Sequence, residues 1–108
     1  MRVLFDHSTP APLRFRLKSH VVNEARDLGW ERLSNGDLLN VAESDGFEVF
    51  VTADKNIRYQ QNLTGRKIAI VVIGHARWKV LRRYTDPVVA AVNAATPGSF
   101  DEVSVPFS

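Results

Sequence analysis

Three aspartates stand where an α/β chain offers groups to a ligand. Asp6 ends the run Val3-Leu4-Phe5-Asp6, and Asp54 ends Phe50-Val51-Thr52-Ala53-Asp54. Asp37 opens an apolar-periodic stretch that leads into the second run. In open α/β sheets, ligands bind beyond the carboxyl ends of the strands. If the two strands are neighbours, Asp6 and Asp54 share one edge. The start of the Asp37 helix joins them if its preceding loop lies at that edge. Three converging carboxylates repel one another, and a divalent cation with oxygen ligands removes that cost. An all-oxygen set suits magnesium or manganese as cofactor. The chain has no cysteine, which excludes a disulfide scaffold, a thiolate zinc site and a cysteine nucleophile. Each acid also has a plain structural reading. Asp6 can be a strand-end turn residue, Asp37 a helix-start charge favoured by the macrodipole, and Asp54 the head of an Asx turn.

The elements that must position these acids follow from apolar spacing and punctuation. Arg2–Phe5 reads as a strand. Thr9 and Pro10 serve as N-cap and first residue of a short helix over 13–18, and 20–22 reads as a second strand. Gly29-Trp30 and Asn35-Gly36 bracket a loop. Residues 37–44 form a helix with Leu38, Leu39, Val41 and Ala42 inward, closed by Gly46. Residues 47–52 are a strand, 57–62 a polar loop or short helix, and 67–73 an apolar strand covered on both faces. Trp78, Leu81, Thr85, Val88, Val92 and Ala95 recur at helical spacing, interrupted by Pro87, unless Asp86-Pro87 caps a second, separate helix. Residues 103–107 read as an edge strand in a Pro/Gly/Ser-containing tail, 96–108. This alternation predicts one domain over residues 1–108. It is an α/β fold, a three-layer α/β/α sandwich around a mainly parallel four-stranded sheet.

At 44% hydrophobic and 24% charged residues, the composition excludes a disordered chain. The longest apolar runs are too short to cross a bilayer, and no cleavable apolar stretch opens the chain, so a cytoplasmic protein with no membrane partner is expected. The formal charge of +2 hides an asymmetry. Residues 55–85 hold eight basic side chains and no acid, while the segments on either side are net acidic. Such a block binds a polyanion or an acidic partner, or is a set of solvated faces. Lys55, Arg58 and Tyr59 directly follow Asp54, where the cations can hold phosphates and the tyrosine can stack on an unpaired base. His75 and Arg77 follow the apolar strand and belong near the same edge.

The stretch Asp37-Leu-Leu-Asn-Val-Ala-Glu-Ser-Asp-Gly-Phe-Glu-Val-Phe-Val-Thr-Ala-Asp-Lys-Asn resembles the central signature of PIN-domain nucleases. The opening Val3-Leu4-Phe5-Asp6 is similar to that fold's first strand with its metal-binding aspartate. The likeness runs over roughly residues 2–75, with Thr52-x-Asp54-x-Asn56 its most specific part. It is nearest to a small bacterial PIN-like family related to the toxins of toxin–antitoxin pairs. The resemblance implies a PIN-like fold and a Mg2+- or Mn2+-dependent ribonuclease hydrolysing RNA phosphodiester bonds. It implies Asp6, Asp37 and Asp54 as catalytic metal ligands, with Asn56 as an auxiliary ligand or water-orienting group. RNA, an antitoxin protein and a homodimer are the partners it implies. Two features depart from the family. Asn56 stands where the last acid belongs, and the further glutamate has only Glu24 as a candidate, at no clear motif position. These departures favour an alternative: a catalytically weakened PIN-like binding or partner-interaction module. A receiver-like or other phosphate-binding α/β domain fits less well, because no strand is followed by a glycine-rich phosphate loop.

Overall fold

The structure, a computed structural model, describes residues 1–105. Five strands, β1 (Arg2–Phe5), β2 (Val21–Glu24), β3 (Val49–Thr52), β4 (Ala69–Val72) and β5 (Phe100–Glu102), make one sheet in the order β2-β1-β3-β4-β5. Every neighbouring pair is parallel. Among the described residues four α-helices accompany them: α1 (Asn35–Ser44), α2 (Ile57–Gln60), α3 (Trp78–Leu81) and α4 (Thr85–Ala94). Two short 3-10 helices, Ala11–Arg16 and Ala25–Leu28, follow β1 and β2.

The period-2 geometry of the strands divides their side chains between two layers. Val3, Phe5, Val49, Val51 and Val71 pack with Leu13 and Leu17 and with Leu81, Val88 and Val92 of α3 and α4. Leu4, Phe50, Ile70 and Val72 pack with Leu38, Leu39 and Ala42 of α1 and Ile57 of α2. Helices therefore cover both faces. For that reason β3 and β4 are buried throughout and read as unbroken apolar runs. Burying a side chain such as Leu38 or Phe50 stabilises the fold by about 1.5–3 kcal/mol.

Local chemistry fixes α1. Ser34 Oγ accepts the Asp37 N–H at 3.3 Å, and Asp37 is the third residue of the helix. At the other end, Phe47 N donates to Ala42 O and Gly46 N to Glu43 O, the paired bonds of a Schellman closure. Gly46 takes the left-handed conformation this closure needs, with φ 88°.

Several expectations are corrected. The sheet has five strands, and the fifth is Phe100–Glu102 rather than 103–107, of which 106 and 107 lie outside the described residues. Asp101 and Glu102 are exposed on this outer strand, which needs no apolar alternation and so hides from pattern reading. The first helix is a 3-10 turn, and Thr9 does not cap it, because its hydroxyl is bonded elsewhere. β2 ends at Glu24, two residues later than predicted. The stretch 78–95 is two helices, as the Asp86-Pro87 alternative allows. Pro87 sits in the first turn of α4, where its missing N–H leaves no helical bond unmade. No helix among the described residues is long and apolar enough to cross a membrane.

Candidate functional site

From β1 the chain moves outward to β2, then returns past β1 to β3. The first connection packs Leu13 and Leu17 on one face of the sheet, and the second packs Ala25, Leu38 and Leu39 on the other. Connections that part to opposite faces open a crevice at the carboxyl ends of β1 and β3, the switch point where open α/β sheets bind ligands. Asp6 and Asp54 both stand there.

Asp6 is 5% exposed. Its Oδ1 accepts from Ser8 N at 3.1 Å, Ser8 Oγ at 2.8 Å and Thr9 Oγ1 at 2.9 Å. Its Oδ2 accepts from Thr52 Oγ1 at 2.6 Å and lies 3.0 Å from Ser8 Oγ. The hydroxyls in turn accept backbone N–H groups of β3's end, Ala53 N to Ser8 Oγ at 2.9 Å and Asp54 N to Thr52 Oγ1 at 3.0 Å. A carboxylate has about four acceptor sites, and most of those of Asp6 face protein donors, with the one proton of the Thr9 hydroxyl shared between Asp6 Oδ1 and Val51 O. It is the knot that ties β1 to β3.

Asp54 is half-buried and differently held. Oδ1 accepts from Asn56 N at 2.9 Å, the Asx turn foreseen as its structural reading, and Oδ2 accepts from Asn35 Nδ2 at 3.2 Å. Toward the described residues, half of its acceptor capacity therefore stays open. Asn35 belongs to the first turn of α1, so the helix start does reach this edge. It does so through Asn35. Asp37 lies two residues further on and is exposed. Among the described residues no group of three or more His, Cys, Asp or Glu is placed to hold a metal ion. Nor does any described lysine, arginine or histidine form an ion pair with Asp6, Asp37 or Asp54. The side chains of Asp6, Asp54, Ser8, Thr9 and Thr52 present oxygens, the donor type that hard cations such as Mg2+ or Mn2+ prefer. Asp54 is the carboxylate with open acceptor positions, and Asp6 is its neighbour through Thr52.

A cavity of about 400 Å³ lies beside Asp6 and is also lined by His7, Glu24, Arg26 and Glu31. Glu24, directly opposite Phe5 in the parallel register, comes to the same edge because β2 is longer than its apolar pattern. Its carboxylate is engaged by Arg14 at 3.2 Å and Arg26 at 3.0 Å, so its charge is already neutralised. Glu31 has no sequence signal of its own, and the sequence marks Thr9 only as a cap and Thr52 only as part of the Thr52-x-Asp54-x-Asn56 signature. The bonds of Ser8, Thr9 and Thr52 to Asp6 come from the β1–β3 register.

The other predicted residues divide. Lys55 lines a second cavity of about 240 Å³ at this edge, with Gly74, Glu102 and Val105. Gly74 is required there, since a Cβ would meet Val105 N at 2.6 Å. Asn56 contributes its backbone N–H, and its side chain is exposed. Arg58 lies 5.0 Å from the Tyr59 ring centroid and 5.6 Å from that of Phe100. Tyr59 is 74% exposed. His75 Nδ1 accepts the Arg77 N–H at 3.0 Å at the start of α3, and Arg77 itself is exposed. Arg66 and Lys67 of the basic block lie at the opposite edge, because they precede β4 rather than follow it. No family model, curated protein or solved structure matches the chain.

Proposed function

We propose that the chain is a PIN-like, metal-dependent ribonuclease acting at the carboxyl edge of β1 and β3. The observation that carries this reading is the juncture of Asp6 and Asp54 through Thr52, at the switch point, with no described protein cation neutralising either carboxylate. A bound Mg2+ or Mn2+ would offset the charge developing on a scissile phosphate and ease attack by water. Asp54 would hold it with its open acceptor sites, and Asp6 would add negative charge from behind. Within the chain, Thr52, Ser8 and Thr9 fix the Asp6 carboxylate in one orientation. Asn35 Nδ2 and Asn56 N fix that of Asp54. Asp54 Oδ2, bonded among the described residues by Asn35 alone, would accept a hydrogen bond from an attacking water. Tyr59 offers an exposed ring on which an unpaired base stacks.

A second reading has its own support. The protein donors gathered on Asp6 and the two arginines on Glu24 lower the capacity of this edge for cations, which favours a PIN-like binding module without hydrolysis. Incubation with single-stranded RNA in Mn2+, Mg2+ or EDTA separates the two. The nuclease reading expects cleavage that stops in EDTA and falls about 100-fold or more in Asp54→Asn, the scale of losing one electrostatic stabiliser. Equal cleavage by parent and Asp54→Asn, or none by the parent in either metal, contradicts it.

A further inference from the structure

We propose that the turn joining α3 to α4 is a phosphate-backbone site for single-stranded nucleic acid, built by Lys79, Arg82 and Arg83. The three cations wall one concavity of about 160 Å³, with Tyr84 beside them. All three are exposed, and Tyr84 is half-buried. Spacings of three and four residues place Lys79 next to both arginines on the helical turn, a like-charge arrangement that works against the helix unless an anion joins it. No described carboxylate does. Arg2, Arg14, Arg26 and Arg66 each form an ion pair, whereas Lys79, Arg82 and Arg83 form none among the described residues. Asp86, only three residues beyond Arg83, also stands outside the ion pairs.

The position suits a strand laid along the carboxyl edge. α3 is a single turn that begins six residues after β4 ends, so the cations stay near the side of the sheet that carries Asp54. Tyr59 and Arg58 stand just after Asp54, on the face that α2 covers. The cationic turn lies on the face that α3 covers. The chemistry of the patch favours nucleic acid over an acidic protein. Protein interfaces need apolar anchors at their centre, and among the described residues the exposed large apolar side chains are Phe15, Val21 and Tyr59, none of them on this turn. Interfaces with nucleic acid are polar and positively charged.

The site rests on the nucleic-acid substrate proposed for the Asp6–Asp54 edge, but its test needs no catalysis. Labelled single-stranded RNA is titrated in EDTA at several salt concentrations with the parent, Arg82→Gln/Arg83→Gln, and Lys18→Gln/Lys67→Gln. The last pair removes equal charge from exposed residues ahead of β2 and β4, at the opposite edge. The arginine double variant should bind about tenfold more weakly, with the salt slope reduced by about 1.4, or ~0.7 for each lost phosphate contact. The lysine double variant should keep the parent slope to within about 0.3. No RNA binding by the parent, equal losses in the two double variants, or polyglutamate competing as well as RNA would each overturn the site. RNA binding that depends on Arg82 and Arg83 without any cleavage in Mn2+ upholds the site and defeats the nuclease reading alone.

Discussion

Two carboxylates at opposite edges of the same sheet, Glu43 and Asp6, are held by different chemistry. Glu43 sits in the last turns of α1, before β3 begins. Arg66 Nη1 approaches its Oε2 at 3.0 Å, and Lys67 N donates to its Oε1. Arg66 Nη2 continues to Asn40 Oδ1 at 2.8 Å. Burial acts to raise the Glu43 pKa, but the backbone N–H groups of Lys67 and Ile68 and the Arg66 guanidinium outweigh it and hold the carboxyl below its ordinary value. Asp6 is more deeply buried and, among the described residues, receives only hydroxyl and amide donors. The amino edge closes its charge with an arginine and is finished as structure. At the carboxyl edge Glu24 is likewise closed by arginines, but Asp6 is oriented without being neutralised by any described cation.

The sharpest way to break this contrast is to remove each carboxylate in turn. Asp6→Ala should destabilise the fold most, by about 3 kcal/mol, since several buried hydroxyls lose their acceptor at once. Asp54→Ala should cost about 1 kcal/mol or less, because its two donors can turn to water. Urea denaturation of the two variants measures both, and equal losses would mean that Asp54 is as structural as Asp6. Glu43→Gln comes next, at about 1–2 kcal/mol near pH 7, the scale of a charge-assisted hydrogen bond in a partly exposed setting.

The smallest effect is the pH dependence of that loss. The folded-state pKa of Glu43 is depressed, so its contribution is fully present above the unfolded value of about 4.3 and disappears as pH falls through the folded value. Parent and Glu43→Gln melting temperatures should therefore converge as acid is added below about pH 4. A gap that stays constant to lower pH would show that packing, and not the Arg66 pair, carries the difference.

The sequence shows the parts of this arrangement that depend on apolar patterning. Val3-Leu4-Phe5, Val49–Thr52 and Ala69–Val72 announce themselves as strands, and the glycine at 46 ends α1 where expected. Asp6 and Asp54 are visible as strand-end acids for the same reason. β5 is not, because an outer strand of Phe-Asp-Glu carries no buried stripe. The Ser8–Thr9–Thr52 network is hidden because it exists only once β1 and β3 pair in parallel register. Asn35 was hidden by the helix boundary, which starts two residues ahead of Asp37 once Ser34 serves as N-cap. The basic block reads as one surface in the chain, yet β4 carries the chain across the sheet and leaves Arg66 and Lys67 on the far side.

A Mn2+ titration followed by thermal unfolding tests the unneutralised edge most directly. A site at Asp6 and Asp54 should raise the Tm of the parent, by on the order of 10 °C at free Mn2+ about 100-fold above Kd, and the rise should vanish in Asp54→Asn while persisting in Glu43→Gln. A parent Tm that ignores Mn2+, or a rise that survives Asp54→Asn unchanged, would contradict it.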